Sequence, residues 1–119
     1  MLNQVNLVGR LVKDPELLYT KDGVALSKFS VAVQRNYKNQ KGEYDTDFIP
    51  CTLWKRSAER LATYCGKGSM ISVNGRLQTR IYENQEQKRI FTMDMIAEGV
   101  SFLQVKPPNA SALQETGQK

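Results

Sequence analysis

Apolar residues recur at every second position through most of this chain, and only once at the spacing of a helix. A period of two puts successive side chains on opposite faces of a strand, so such a chain must become a sheet that covers one of its faces. Asn3 to Lys13 sets Val5, Leu7, Gly9 and Leu11 on one face and Asn6, Val8, Arg10 and Val12 on the other. Ala25 to Tyr37 aligns Phe29, Val31 and Val33. Phe48 to Trp54 makes a third strand, in which Pro50 has no N–H to give and must aim its nitrogen away from a paired neighbour. Ser69 to Tyr82 and Arg89 to Leu103 are the fourth and fifth, with Gly75 marking a bulge or bend. Between the third and fourth, Ala58, Leu61, Ala62 and Cys65 fall at i, i+3, i+4 and i+7, one stripe of a short helix. Ser57 is its expected N-cap, although Arg60 leaves the capping box incomplete, and Gly66 and Gly68 end it. Pro15 and Lys21-Asp22-Gly23 supply a turn after the first strand, Lys38 to Asp47 reads as a flexible hairpin tip, and Glu83 to Lys88 as a polar loop.

Three strands, one helix, then two strands is the chain order of an all-β, five-stranded OB-fold barrel, with the helix between strands 3 and 4. Another small antiparallel barrel, or an α+β domain, shares that pattern. The 119 residues suit one domain with a core of its own. The domain is expected to span residues 1–105. After Val105, Pro107-Pro108-Asn109 opens a polar stretch, so 106–119 is expected to be a short disordered tail. No run approaches the roughly 20 apolar residues of a membrane span, and Met1-Leu2-Asn3-Gln4 begins no secretory signal. A cytoplasmic location follows as the expectation, with Cys51 and Cys65 as free buried thiols.

The net charge of +5 leans toward a polyanionic partner. The positions of the charges say more. Arg35, Lys38 and Lys41 cluster, Lys55 adjoins Arg56, and four basic residues against two acidic ones lie between Arg76 and Arg89. Aromatic residues sit among them: Tyr37 between Arg35 and Lys38, Trp54 directly before Lys55, Tyr82 two residues after Arg80, and Phe48 just past a polar loop. A ring can stack on a base while a neighbouring cation meets a phosphate, and together they can hold a single strand without reading its sequence. The bland alternative makes each ring a half-buried strand residue and each cluster a solvated surface. The candidate binding residues are Tyr37, Phe48, Trp54 and Tyr82, with Arg35, Lys38, Lys55, Arg56, Arg76 and Arg80 for charge and Arg10 as an addition.

Catalysis finds little support. The chain has no histidine, so the commonest general base and metal ligand is missing. Asp45 and Asp47 lie two apart, a spacing open to a metal-binding pair, but beside a Lys-rich tip they read as solvated charges. No catalytic residue, cofactor or metal is expected.

Three separated stretches carry a family resemblance. The opening Asn3-Gln4-Val5-Asn6-Leu7-Val8-Gly9-Arg10-Leu11, followed by Asp14-Pro15-Glu16-Leu17 and Tyr19, resembles the start of bacterial single-stranded DNA-binding proteins. Asp47-Phe48, leading through Leu53-Trp54 to Lys67-Gly68-Ser69, is similar too, as is Val73-Asn74-Gly75-Arg76-Leu77-Gln78-Thr79-Arg80 ending at Tyr82. The resemblance covers about residues 1–105 in order. It implies an OB fold assembled as a homotetramer that wraps single-stranded DNA in replication, recombination and repair, and that is not an enzyme. The family's stacking positions correspond to Tyr37, Phe48, Trp54 and Tyr82, although two of them often hold tryptophan where Tyr37 and Tyr82 stand here. Family members usually end in a long linker with an acidic tip that recruits replication and recombination proteins. Here Glu115 is the only acid after residue 105, so recruitment by that route is not expected. A truncated chain, a competence-type paralogue and a phage-encoded relative all fit; the bacterial nucleoid is the implied location. The other readings are an OB-fold interaction module of a replication-restart complex and a structured-RNA binder.

Overall fold

The computed structural model describes residues 1–108. The elements run β1 (Val5–Leu11), β2 (Glu16–Tyr19), β3 (Ala25–Lys38), β4 (Tyr44–Trp54), α1 (Lys55–Tyr64), β5 (Met70–Glu83) and β6 (Arg89–Gln104). Five of the strands close into a barrel in the order β1-β5-β6-β4-β3 and back to β1. Every pairing is antiparallel except β4 with β6. This is the five-stranded barrel of the OB type, with its helix after the third barrel strand.

The sixth strand, β2, occupies residues that the sequence pattern assigns to a turn. It pairs only with β3, placing Glu16 to Tyr19 against Lys28 to Ala25. Within it only Leu17 is even half-buried, so no alternation betrays it. β1 and β2 run as two segments along one side of β3, joined where the Val12 N–H donates to the Ser30 carbonyl at 3.1 Å.

Alternation places the core correctly. Leu11, Phe29, Val31, Cys51, Leu53, Ile71, Val73 and Met95 point inward and are buried. Burying a side chain such as Leu53 or Ile71 contributes about 1.5–3 kcal/mol. The helix plugs one end with Ala58, Leu61 and Cys65, three residues of the expected stripe. Its start differs from expectation. The N-cap is Trp54, which makes no side-chain capping bond, and Ser57 lies inside the first turn. Lys55 opens the helix at φ 65, in the left-handed region, so the chain leaves β4 through a strained corner rather than through a serine cap.

The hairpin tip is tighter than expected. β3 continues to Lys38 and β4 begins at Tyr44. The Asn39 side chain closes the turn by accepting the N–H groups of Lys41 and Glu43 at 2.8 and 3.0 Å. Asn84 does the same between β5 and β6, accepting from Glu86 and Lys88 at 2.9 and 3.0 Å. Both hairpins therefore project as ordered arms. Pro50 stands across from Ser30, one residue before the β4–β6 ladder begins at Cys51, so its missing donor leaves no gap there. Lys106, expected in the tail, is tied down: its N–H donates to Ser69 Oγ at 2.9 Å and its carbonyl accepts from Gly66 at 2.6 Å. The rest of the expected tail, 109–119, lies outside the described residues.

Gly75 sits where the β5–β6 register shifts, and a Cβ there would run into the Ile96 carbonyl. Gly75→Ala is therefore expected to lower the unfolding free energy by about 1–3 kcal/mol, because the bulge cannot open to admit it. Ser27 offers the opposite case. Its hydroxyl is buried with no partner among the described residues, so Ser27→Ala is expected to stabilise by about 1 kcal/mol. Urea denaturation of both variants reads the two signs directly.

Candidate nucleic-acid interface

The outer face of the barrel carries side chains from four strands in register. Lys28 on β3 faces Thr52 on β4, Thr52 pairs with Ile96 on β6, and Ile96 pairs with Arg76 on β5. Trp54 lies one step along the same face of β4, across from Leu26. Together these residues line an open groove of about 400 Å³, with Gln78, Arg80 and Asp94 on its β5–β6 side. Trp54 on β4 and the arginines Arg76 and Arg80 on β5, separated in sequence by the helix, line the same groove.

The other rings are arranged around this groove rather than within it. Phe48 is on the outward face of β4, six positions before Trp54. Tyr82 follows Arg80 on the outward row of β5, across from Ile90. Tyr37 stands on the far part of the β3–β4 arm, within the stretch between Gln34 and Lys38 where the register shifts. All four rings reach the surface rather than the core: Tyr37 is 65% exposed, Phe48 64%, Trp54 40% and Tyr82 50%. Exposure alone does not single them out, because Tyr19, Tyr44, Tyr64 and Phe91 are also exposed. Tyr44 lies on the same arm as Tyr37, with the Lys38 ammonium 5.8 Å above its ring. Sequence reasoning misses that aromatic for want of a basic neighbour in the chain; its cation arrives from across the turn.

The cations fall into two groups. Arg35 donates to both oxygens of Asp47, from Nε at 3.3 and 3.1 Å and from Nη2 at 2.9 Å, and Asp45 is 3.7 Å from Nη1. Asp45 and Asp47, read from sequence as solvated charges, have half-exposed side chains and are also the partners of Arg35. Arg76 lies 3.7 Å from Glu98 and Arg80 3.3 Å from Asp94. Arg10 shares a cross-strand row with Ala32 and Phe48, and its Nη1 donates to the Gly68 carbonyl at 2.9 Å. By contrast Lys55 and Arg56, which border a separate depression with Gly23 and Glu59, form no ion pair among the described residues. Nor does Lys28, a groove residue that the sequence pattern overlooks. Its aromatic neighbour in the chain, Phe29, is buried in the core, so no exposed ring marks it, and only the β3–β4 register brings it beside Thr52 and Trp54.

The face offers charge and flat rings but no reactive group. Burial pushes the Cys51 thiol up to about 12 and raises Cys65 as well, so neither is a thiolate at neutral pH. No cluster of three or more potential metal ligands occurs among the described residues. No helix among them is long and apolar enough to cross a membrane.

Residues 2–103 match the model of the single-strand binding protein family. The chain is 47% identical over 112 residues to single-stranded DNA-binding protein B of Bacillus subtilis (strain 168), an alignment covering 94% of this chain and 99% of that protein. It is 54% identical over 106 residues to single-stranded DNA-binding protein A of the same organism, covering 89% of this chain but 62% of the relative. Against single-stranded DNA-binding protein 2 of Listeria monocytogenes the identity is 50% over 109 residues, with 92% and 68% covered. The chain thus spans nearly all of one relative and less than two thirds of another.

The Arg35 pair gives the β3–β4 arm a pH signature. The Arg35 guanidinium holds the Asp47 carboxyl below its ordinary value of 3.8. A carboxylate depressed in the folded state stabilises fully above its unfolded pKa, and the effect is lost as pH falls through the depressed value. Thermal melts of the protein and of Asp47→Asn should therefore differ by a constant amount at neutral pH, and the two should converge below about pH 4. A gap that does not narrow as pH falls below about 4 would contradict the pairing.

Proposed function

This chain belongs to the single-strand binding protein family, and on that premise we propose that it binds and protects single-stranded DNA without sequence preference. The observation that carries this reading is the groove that unites Trp54 with Arg76 and Arg80. A flat ring that is 40% exposed, backed by Leu26 and flanked by cations, can stack on any base because every base has a π-face. Phe48 and Tyr82 continue the two rows that leave the groove, and Tyr37 extends the platform onto the β3–β4 arm. Lys38, Lys55 and Arg56 add positive charge along the route, with Arg35 and Arg10 contributing through side chains already engaged by the protein. The work is binding, not catalysis, and it serves DNA replication, recombination and repair in the bacterial cell, at the nucleoid.

A homotetramer fits the task. One OB surface covers about 4–16 nucleotides, so wrapping a longer strand takes several copies. Sedimentation equilibrium at micromolar concentration is expected to give four times the 13.5 kDa chain mass. A monomer would remove the assembly from this reading.

Trp54 is the only tryptophan, which makes the platform directly observable. Adding oligo(dT) should strongly quench indole fluorescence. Stacking is worth about 1–3 kcal/mol by alanine substitution, so Trp54→Ala should weaken binding by roughly tenfold or more while the fold survives. Competition with duplex DNA and with RNA should leave the complex largely intact. Equal displacement by structured RNA would favour an RNA-binding role, and unchanged affinity in Trp54→Ala would dismiss the stacking groove.

A further inference from the structure

The groove beside Trp54 does not end at Arg80. Lys28, Thr52, Arg80 and Asp94 line both it and a second depression of about 240 Å³. That second depression reaches Lys13 and Pro50, and Pro50 lies two residues from Phe48 on the outward face of β4. The two depressions thus form one track running from the Trp54 ring toward the Phe48 ring. The rings lie six positions apart along the strand, roughly 20 Å of β4.

Apart from Arg56, which borders a separate depression, every arginine proposed for this face already has an internal partner: Asp47 for Arg35, Glu98 for Arg76, Asp94 for Arg80 and the Gly68 carbonyl for Arg10. An arginine held by a carboxylate delivers no net charge to a phosphate unless it gives up that carboxylate. Lys28 and Lys13 make no ion pair among the described residues. Glu16 stands across from Lys28 in the β2–β3 register without forming an ion pair with it. These lysines have ammonium groups free to move onto a passing backbone.

We propose that Lys28 and Lys13 carry the phosphodiester backbone of a bound single strand along this track, and that the paired arginines mainly shape it. The inference rests on the single-strand reading and adds to it the residues responsible for its electrostatics. Each phosphate that a protein cation neutralises releases condensed counterions, which for single strands changes the slope of log K against log salt by about 0.7. A cation that meets a phosphate contributes that amount; one that stays with its carboxylate contributes little.

The test is the salt dependence of oligo(dT) affinity, read by fluorescence anisotropy with a labelled oligonucleotide, for the full chain and for variants. Lys28→Gln and Lys13→Gln should each make the slope shallower by about 0.7. Arg76→Gln should change it by less than half as much. Asp94→Asn, which frees Arg80, should make it steeper and tighten binding at low salt. Slopes unmoved in both lysine variants, with a clear loss in Arg76→Gln, would overturn the inference while leaving the functional reading in place. A wild-type chain that binds no oligonucleotide would overturn both.

Discussion

Three residues of parallel pairing hold this molecule's purpose together. Cys51, Thr52 and Leu53 of β4 lie beside Met95, Ile96 and Ala97 of β6. Without that short ladder, the β3–β4 and β5–β6 hairpins would be joined only through β1, in an open sheet rather than a closed barrel. With it, four strands share one face, and Lys28, Thr52, Ile96 and Arg76 line up across it. The ladder is stabilised from within: Cys51, Leu53, Met95 and Ala97 are all buried in the barrel. The inward side chains of two residue pairs thus set the position of the outward pair between them, Thr52 and Ile96, which is the simplest way for a core to specify a surface.

The remaining closure is equally economical. β1 pairs with β5 from Val5 to Arg10, then meets β3 only at Arg10 and Leu11. Gly9 allows that approach, since a Cβ at this position would strike the Ala32 carbonyl and the Val31 side chain. The same junction puts Arg10 in the cross-strand row of Ala32 and Phe48. Barrel geometry and the reach of the candidate surface are therefore one problem, not two.

Charge on this surface is arranged in opposition to itself. Asp47, Asp94 and Glu98 each sit on a strand beside the arginine they hold. These pairs are exposed and individually worth little to stability. Their larger consequence is for binding, because they lower the net charge that the arginines can present. Lysines without partners then carry more of the attraction than the count of basic residues implies. A net charge of +5 says that a polyanion is welcome, but not which side chains will meet it.

Much of this architecture is legible in the chain itself. The two-residue period of Val5 to Leu11 and of Phe29 to Val33 reports a local rule, that neighbours on a strand face opposite ways, so the inward residues of each strand follow from the order of residues. The stripe of Ala58, Leu61 and Cys65 announces the helix for the same reason, and the motifs around Gly9, Trp54 and Gly75 announce the family. Local rules do not reach β2, whose four residues bury too little to alternate, nor the start of α1, where the strained corner at Lys55 takes precedence over the capping preference of Ser57. They also cannot say that Arg35 is claimed by Asp47 or that Lys28 stands beside Trp54. Those facts depend on register between strands that are distant in sequence, and register is decided by how the whole barrel closes over its core. Sequence by itself determined which residues would face the solvent; the tertiary structure alone decided which of them would face it together.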